Sequence, residues 1–202
     1  MDGSFFVRNK RVIVSFVIVL FFTLLLITIM LPHNETDELI YQTLGVKVAS
    51  FKSYTLQDTN ILKYLPQQIY NTPLFFRPPV FIIYLAILHM FLGNLGFRIS
   101  PVIIYIILCF VLYKTVLRIT KSQNTALKAL VLSAVSSLLL FSSLQIHLDL
   151  FMTLMASLSF YFAVIFQESR KKIHIILSGL FIALAVLTNY TAAILYPFFH
   201  YS

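Results

Sequence analysis

The residues best suited to chemistry form an acidic cluster directly after a long apolar run. The stretch HNETDELIYQ, residues 33–42, contains three of the seven acids in the chain: Glu35, Asp37 and Glu38. An ionised carboxylate within hydrogen-bond reach of a hydroxyl can act as a general base. We therefore predict Asp37 as a catalytic base and Glu38 as its catalytic neighbour, pointing about 100° away on a helix.

The same acids also have a purely structural interpretation. Asn34 can cap a helix that begins at Glu35, with Asp37 three residues further on as in a capping box. Asp37 and Glu38 would then lie at the positive end of the helix dipole, where carboxylates are favourable. The sequence leaves both interpretations open.

A second candidate acid, Asp149, lies at the junction of two apolar runs in SLQIHLDLFMTL, and no other acid occurs between Asp58 and Glu168. An acid at the edge of hydrocarbon is costly and usually functional, so we predict Asp149 as catalytic; a solvated turn acid is the alternative. Asp37, Asp149 and His147 have side chains that bind divalent metal ions. No tight ligand spacing supports that site, and a lone histidine is more often a satisfied polar residue.

Basic side chains before the second apolar run are suited to a phosphate. Prolines fix the backbone of Arg77 in FFRPPVF as extended, and a fixed guanidinium at a membrane surface suits a phosphate. Lys63, in the amphipathic stretch ILKYLPQQIY, is a weaker candidate of the same kind. The alternative is that these side chains reach towards lipid headgroups.

The composition identifies the chain as a polytopic membrane protein. Mean hydropathy is +0.90, and only 11% of the 202 residues are charged, too few to cover a soluble surface. The net charge of +8 comes from bases beside apolar runs, which is typical of membrane topology and does not indicate a nucleic-acid partner. The single cysteine, Cys109, cannot form a disulfide within the chain and is expected to serve packing.

Lysine and arginine mark the cytoplasmic side of a membrane chain. Three basic groups flank the apolar runs: Arg8, Lys10 and Arg11; Lys114, Arg118, Lys121 and Lys128; and Arg170, Lys171 and Lys172. If all three are cytoplasmic, an even number of crossings separates each pair. Three apolar runs lie between the first two groups, so one run does not cross. The run at 79–97 is the candidate, because its break at Gly93 leaves an apolar stretch too short to span.

We therefore predict an all-α, polytopic transmembrane bundle, a single domain over 1–202. A first membrane helix at 12–31 leads to an external loop at 33–98 that contains interfacial helices. The further membrane helices are predicted at 99–117, 125–146, 149–167 and 173–188, with the start of another at 191–202. The turns around Asp37, Asp149 and Tyr190 then share the external side. No glycine-rich phosphate loop, zinc spacing or GxSxG motif occurs, which argues against a nucleotide-binding domain.

At this point the order of segments resembles a known family. An anchor helix precedes DELIYQTLGVKVASFKSYTL, then FFRPPVFIIYLAILHMFLGNLGFRIS, then LQIHLDLFMTLMASLSFYF, then LSGLFIALAVLTNYTAAILYPFF. This order is similar to the N-terminal half of GT-C superfamily glycosyltransferases that use polyprenyl-phosphate sugars. The closest group contains the protein O-mannosyltransferases and the lipid A aminoarabinose transferase.

The resemblance rests on five motifs in the same order. The family's Asp-Glu pair matches Asp37–Glu38, its Pro-Pro segment matches Pro78–Pro79, and the following arginine matches Arg98. The family's lone aspartate matches Asp149, and a Thr-Lys-Tyr-Thr-like turn matches 188–191. In that turn Asn189 replaces the family's usual lysine, and Tyr190 is retained.

The resemblance implies an inverting transfer of sugar from a polyprenyl-phosphate donor to a glycan, lipid or protein acceptor outside the cytoplasm. Asp37 would deprotonate the acceptor, and Arg77 with Arg98, assisted by Lys63 and Tyr190, would bind the phosphate. Asp149 would support the site or hold a divalent metal ion. Apolar grooves between helices would take the polyprenyl chain.

The expected location is a bacterial inner membrane with a cytoplasmic N-terminus, and the alternative is the endoplasmic reticulum membrane. Family members continue for several more crossings, so we expect the chain to represent only the N-terminal part of the family module. The alternative function is therefore a non-catalytic membrane remnant or an assembly partner of a split glycosyltransferase. A transporter is disfavoured, because the acids lie at helix mouths and not at mid-membrane.

Overall fold

The computed structural model describes residues 10–30, 36–52, 54–56 and 79–195. These ranges contain α-helices, a short 3-10 helix at Tyr190–Leu195 and no strand, which confirms the predicted all-α class. The helices are α1 (Lys10–Met30), α2 (Thr36–Ala49), α3 (Pro79–Leu92), α4 (Asn94–Thr120), α5 (Gln123–Ala134), α6 (Ser137–Ser142), α7 (Leu148–Ser169) and α8 (Lys172–Val186).

Within the described ranges, three helices are long and apolar enough to cross a bilayer. They are Arg11–Met30 of α1, α4 and α7, with mean hydropathies of 3.1, 2.3 and 1.8. Helices α3 and α8 are apolar but shorter; at 15 residues, α8 covers about 22 Å, against a hydrocarbon core of about 30 Å. The chain is therefore an integral membrane protein, and its sidedness stays a prediction.

Two helix boundaries differ from those predicted from sequence. Helix α4 begins directly after Gly93, five residues earlier than predicted, and contains Pro101 in its interior. The helix predicted over 125–146 is two helices, α5 and α6, separated at Val135–Ser136. Serine hydroxyls offer the backbone alternative hydrogen bonds, and Ser133 at the end of α5 donates to the Ala129 carbonyl at 2.8 Å.

Helix α4 is the centre of the bundle, because α1, α3, α5 and α7 all pack against it. Its buried side chains recur at helical spacing, and Ile104, Tyr105, Leu108 and Cys109 are each at most 2% exposed. Cys109 is free and buried, which confirms its predicted packing role.

The elbow between α3 and α4 depends on two glycines. Gly93 has a φ of 59°, in the left-handed region that side chains disfavour. A Cβ on Gly96 would lie 2.6 Å from the Leu88 carbonyl oxygen, which belongs to backbone and cannot turn away. The elbow therefore folds back with a close approach of α4 to α3 that only a glycine at 96 allows.

Helix α3 presents two different faces. Phe81, Leu85 and neighbouring apolar side chains are buried, and α2 packs on α3. Four exposed apolar residues occur on its other side: Ile83, Ile87, Met90 and Phe91. This exposed apolar stripe suits a helix that contacts lipid, and the interfacial placement of α3 stays a prediction.

The break between α5 and α6 is closed by a side chain from α4. The Tyr105 hydroxyl donates to the Ala134 carbonyl at 2.7 Å, at the end of α5 where helical N–H donors run out. Unpaired backbone groups in hydrocarbon cost several kcal/mol. Tyr105 therefore stabilises a helix end that would otherwise be unfavourable inside the bundle.

The carboxyl ends of α4 and α7 lie together. Arg118 donates to Glu168 at 2.6 Å, and Lys121 also pairs with Glu168. Lys121 and Arg170 close these two helices in the left-handed conformation. Two of the basic groups that the topology prediction treats as cytoplasmic are thus at the same end of the bundle.

The variant Tyr105→Phe tests the cap at the break. It removes the donor to the Ala134 carbonyl, so we expect the free energy of unfolding to fall by about 1–3 kcal/mol. Thermal unfolding in detergent measures the loss. Tyr113→Phe, on the same helix with its ring 6.5 Å from Phe110, is the control, and an equal effect of both variants would contradict the capping role.

Alanine substitutions at two glycines test the elbow between α3 and α4. Gly96→Ala places a methyl group against the Leu88 carbonyl, and overpacking of this kind destabilises by about 1–3 kcal/mol. Gly179→Ala is the control, because its Cβ would meet nothing within 4 Å and alanine favours a helix by up to about 1 kcal/mol. Opposite shifts of the unfolding temperature are expected, and equal shifts would refute the close approach.

Candidate functional site

The predicted catalytic acids Asp37 and Glu38 lie in the first turn of α2. Glu38 is only 2% exposed, on the side of α2 that also carries the buried Tyr41, whereas Asp37 is half-buried. Successive helical residues point about 100° apart, so the two neighbouring carboxylates face different surroundings. The candidate cap Asn34 lies outside the described residues.

Glu38 contacts a distant part of the chain. Its Oε1 accepts a hydrogen bond of 2.8 Å from the backbone N–H of Ile146, 108 residues away in sequence. Ile146 belongs to the turn at 143–147 between α6 and α7, and its side chain is fully buried. Glu38 thus joins the start of α2 to the turn that leads into Asp149, a partnership that no sequence signal indicated.

Aromatic packing joins the same elements beneath this hydrogen bond. The Phe81 ring of α3 lies 5.4 Å from Tyr41 of α2, edge to face, and 5.6 Å from Phe151 of α7. Tyr84 of α3 lies 4.9 Å from Phe151. Such pairs add stability beyond their buried area, so the starts of α2 and α7 are held on a rigid support.

Asp149 lies in the first turn of α7, exposed and at the favourable positive end of the helix. Its Oδ1 accepts a hydrogen bond of 3.0 Å from the side-chain amide of Asn189. The Asn189 side-chain oxygen accepts at 3.1 Å from the backbone N–H of Thr191. The predicted turn at 188–191 therefore meets Asp149 directly.

These contacts bring three polar elements to one end of the bundle: the start of α2, the turn at 143–149 and the turn at 188–191. Glu168 and its basic partners lie at the opposite end of α7. With 22 residues, α7 places the two ends about 33 Å apart. The prediction that the Asp149 and Asn189 turns share a side agrees with this geometry.

Arg98, a predicted phosphate ligand, is half-buried and donates from Nη1 to the Ile29 carbonyl in the last turn of α1. Cations are favourable at a helix carboxyl end, where carbonyls lack partners. Arg98 thus connects the end of α1 to the start of α4, a structural contact that the sequence prediction missed.

The other predicted phosphate ligands are Tyr190, Arg77 and Lys63. Tyr190 opens the 3-10 helix and is 54% exposed, beside the Asp149–Asn189 pair. Arg77 and Lys63 lie outside the described residues. Of the four predicted phosphate ligands, the structure therefore describes the positions of Tyr190 and Arg98.

The predicted metal ligands are not gathered in the described ranges. Among those residues, no three His, Cys, Asp or Glu side chains form a group that could hold a metal ion. Asp149 instead pairs with Asn189, and the His147 ring lies 3.0 Å from the side-chain oxygen of Gln145. Two of the three predicted ligands, His147 and Asp149, thus have side-chain amide partners, and the metal site stays a prediction.

A cavity of about 450 Å³ lies between α4 and α7. Its lining is mainly apolar, from Leu112, Val116, Ile119, Met152, Ala156 and Phe160. One end comes close to the polar turns, because Met152 contacts the Thr191 hydroxyl at 3.8 Å. The cavity therefore extends from the neighbourhood of Asp149 into the membrane-spanning part of the bundle.

Comparison with known proteins now identifies the family. The family model described as dolichyl-phosphate-mannose-protein mannosyltransferase matches residues 76–201, more than half of the chain, and confirms the resemblance to GT-C glycosyltransferases. The match includes Asp149 and Asn189 and begins after Asp37 and Glu38. The comparison with curated proteins gave no match, and neither did the comparison with solved structures. On this evidence the chain belongs to the dolichyl-phosphate-mannose-protein mannosyltransferase family.

Proposed function

We propose that the protein transfers a sugar from a polyprenyl-phosphate donor to an acceptor on the extracytoplasmic side of the membrane, with its N-terminus cytoplasmic. The observation that carries the proposal is the hydrogen bond from Ile146 N–H to Glu38, which joins the acid-bearing start of α2 to the turn before Asp149. Family membership supplies the reaction class. The basic end of α4 and α7, far from this turn, supports the sidedness.

Asp37 is the general base of the proposed reaction. It is half-buried in the first turn of α2, whereas Glu38 is turned into the protein. As the acceptor oxygen attacks the anomeric carbon, Asp37 takes the acceptor proton. The bond from the anomeric carbon to the phosphate oxygen breaks, and the lipid phosphate leaves with inversion at that carbon.

Arg98 and Tyr190 contribute donors for the leaving phosphate. A guanidinium has five N–H donors, and the contact of Arg98 with the Ile29 carbonyl uses one nitrogen, Nη1. Tyr190 is exposed and directly follows Asn189, the partner of Asp149. Arg77 and Lys63 are proposed to add positive charge, which stabilises a phosphate as it becomes more negative.

The apolar cavity between α4 and α7 is proposed to hold the polyprenyl chain. Burying a methylene group is worth about 0.8 kcal/mol, so a long isoprenoid gains much from a lined cavity. The two threonine hydroxyls at the lining, Thr115 and Thr153, donate to carbonyls of their own helices at 2.8 and 2.7 Å. The lining is therefore compatible with hydrocarbon.

The variant Asp37→Asn tests the base. We expect transfer of label from radiolabelled polyprenyl-phosphate mannose, assayed in membranes, to fall by about 10²–10⁴-fold, the usual contribution of a general base. Glu168→Gln, at the opposite end of the bundle, is the control and should keep its activity. Undiminished transfer by Asp37→Asn would remove the proposed role and favour a non-catalytic partner.

The variant Ala156→Phe tests the lipid cavity. The larger ring fills space next to Phe160, so we expect KM for a long-chain donor to rise by about tenfold, with little change for a short-chain donor. Ala183→Phe, at an exposed position on α8, is the control. Equal KM changes for both donors would argue against a tail in this cavity.

A further inference from the structure

The turn at 143–147 obtains a hydrogen-bond acceptor from another helix. It is not helical, yet Ser143 and Ile146 are fully buried. A buried backbone N–H needs an acceptor, because leaving it unpaired costs about as much as a lost hydrogen bond. Ile146 obtains its acceptor from a side chain in another helix, the Glu38 carboxylate, at 2.8 Å.

Glu38 is well suited to that task. It is 2% exposed and belongs to a helix packed on α3, so its position is fixed. A hydrogen bond to a carboxylate is stronger than one to a neutral oxygen. Three residues after Ile146, Asp149 lies in the first turn of α7 and pairs with Asn189, so a displacement of the turn would move that pair.

We propose that Glu38 is a positioning residue that fixes the turn at 143–147 and thereby places Asp149 and Asn189 opposite Asp37. The inference rests on the proposed function, and it divides the adjacent acids between two tasks. Asp37 takes the proton, whereas Glu38 acts through the backbone of Ile146 and touches no reacting atom. The acceptor oxygen of Glu38 is therefore the essential feature, and its negative charge only strengthens the hydrogen bond.

Two substitutions of Glu38 test whether its acceptor oxygen or its negative charge is required. Glu38→Gln keeps a side-chain oxygen that can accept from Ile146, whereas Glu38→Ala removes it. Spin labels are attached to cysteines that replace Ser50 and Leu138, both exposed, in a variant whose own cysteine is removed by Cys109→Ala. The distance between the labels reports the position of α6 relative to α2. We expect an unchanged distance distribution for Glu38→Gln and a broadened one for Glu38→Ala, measured by pulsed electron paramagnetic resonance.

Activity is measured on the same full-length variants with polyprenyl-phosphate mannose as donor. Glu38→Gln should retain transfer within about threefold, and Glu38→Ala should lose roughly tenfold or more. Asp37→Asn should be inactive with the wild-type distance distribution. The same pH profile of transfer is also expected for wild type and Glu38→Gln, since Glu38 does not take the acceptor proton.

The outcomes that overturn the inference are distinct from failure of the proposed function. An inactive Glu38→Gln with the wild-type distance distribution would mean that the carboxylate charge takes part in the reaction. An unchanged distribution in Glu38→Ala would mean that Glu38 does not hold the turn. Absence of transfer by the wild type would refute the proposed function, while the distance measurements would still decide whether Glu38 fixes the turn.

Discussion

A backbone N–H shielded from water must find an acceptor, and much of the candidate site follows from how Ile146 meets that constraint. Its acceptor is Glu38, 108 residues away, because the turn at 143–147 has no helical ladder of its own. This single contact links the first-turn acids of α2 to the amino end of α7. The aromatic cluster around Phe81 then makes the link rigid.

Composition and charge predicted the fold class well, because a chain in hydrocarbon must satisfy its backbone hydrogen bonds internally. Apolar runs of about 20 residues therefore become helices. The prediction failed where local chemistry competed with hydropathy. Serines at 133, 136 and 137 interrupt an otherwise apolar run, and Val135–Ser136 separates α5 from α6. The membrane helix predicted from residue 99 begins instead directly after Gly93, as α4, and contains Pro101 in its interior.

Site residues were predictable by type but not by partner. Asp149 was identified from its isolation in an apolar context, and its bond to Asn189 depends on a tertiary contact across 40 residues. Arg98 was recognised as significant, yet its contact with the Ile29 carbonyl requires knowing where α1 ends. The partner of Glu38 was equally unpredictable. Helical spacing predicts that its side chain points away from that of Asp37, but it does not predict the contact with Ile146.

The break at Val135–Ser136 has a mechanical consequence. The hydrogen bonds of α5 continue to Val135 and Ser136, whose N–H groups donate to the Val131 and Ser133 carbonyls, and the phenol of Tyr105 donates to the Ala134 carbonyl. The helical ladder is interrupted there, before α6. Helix α6 and the turn after it are therefore joined to α5 through a non-helical link and can shift without bending a continuous helix. The ion pairs of Arg118 and Lys121 with Glu168 join α4 to α7 at the other end of the bundle. The two parts of this segment are thus mechanically separate.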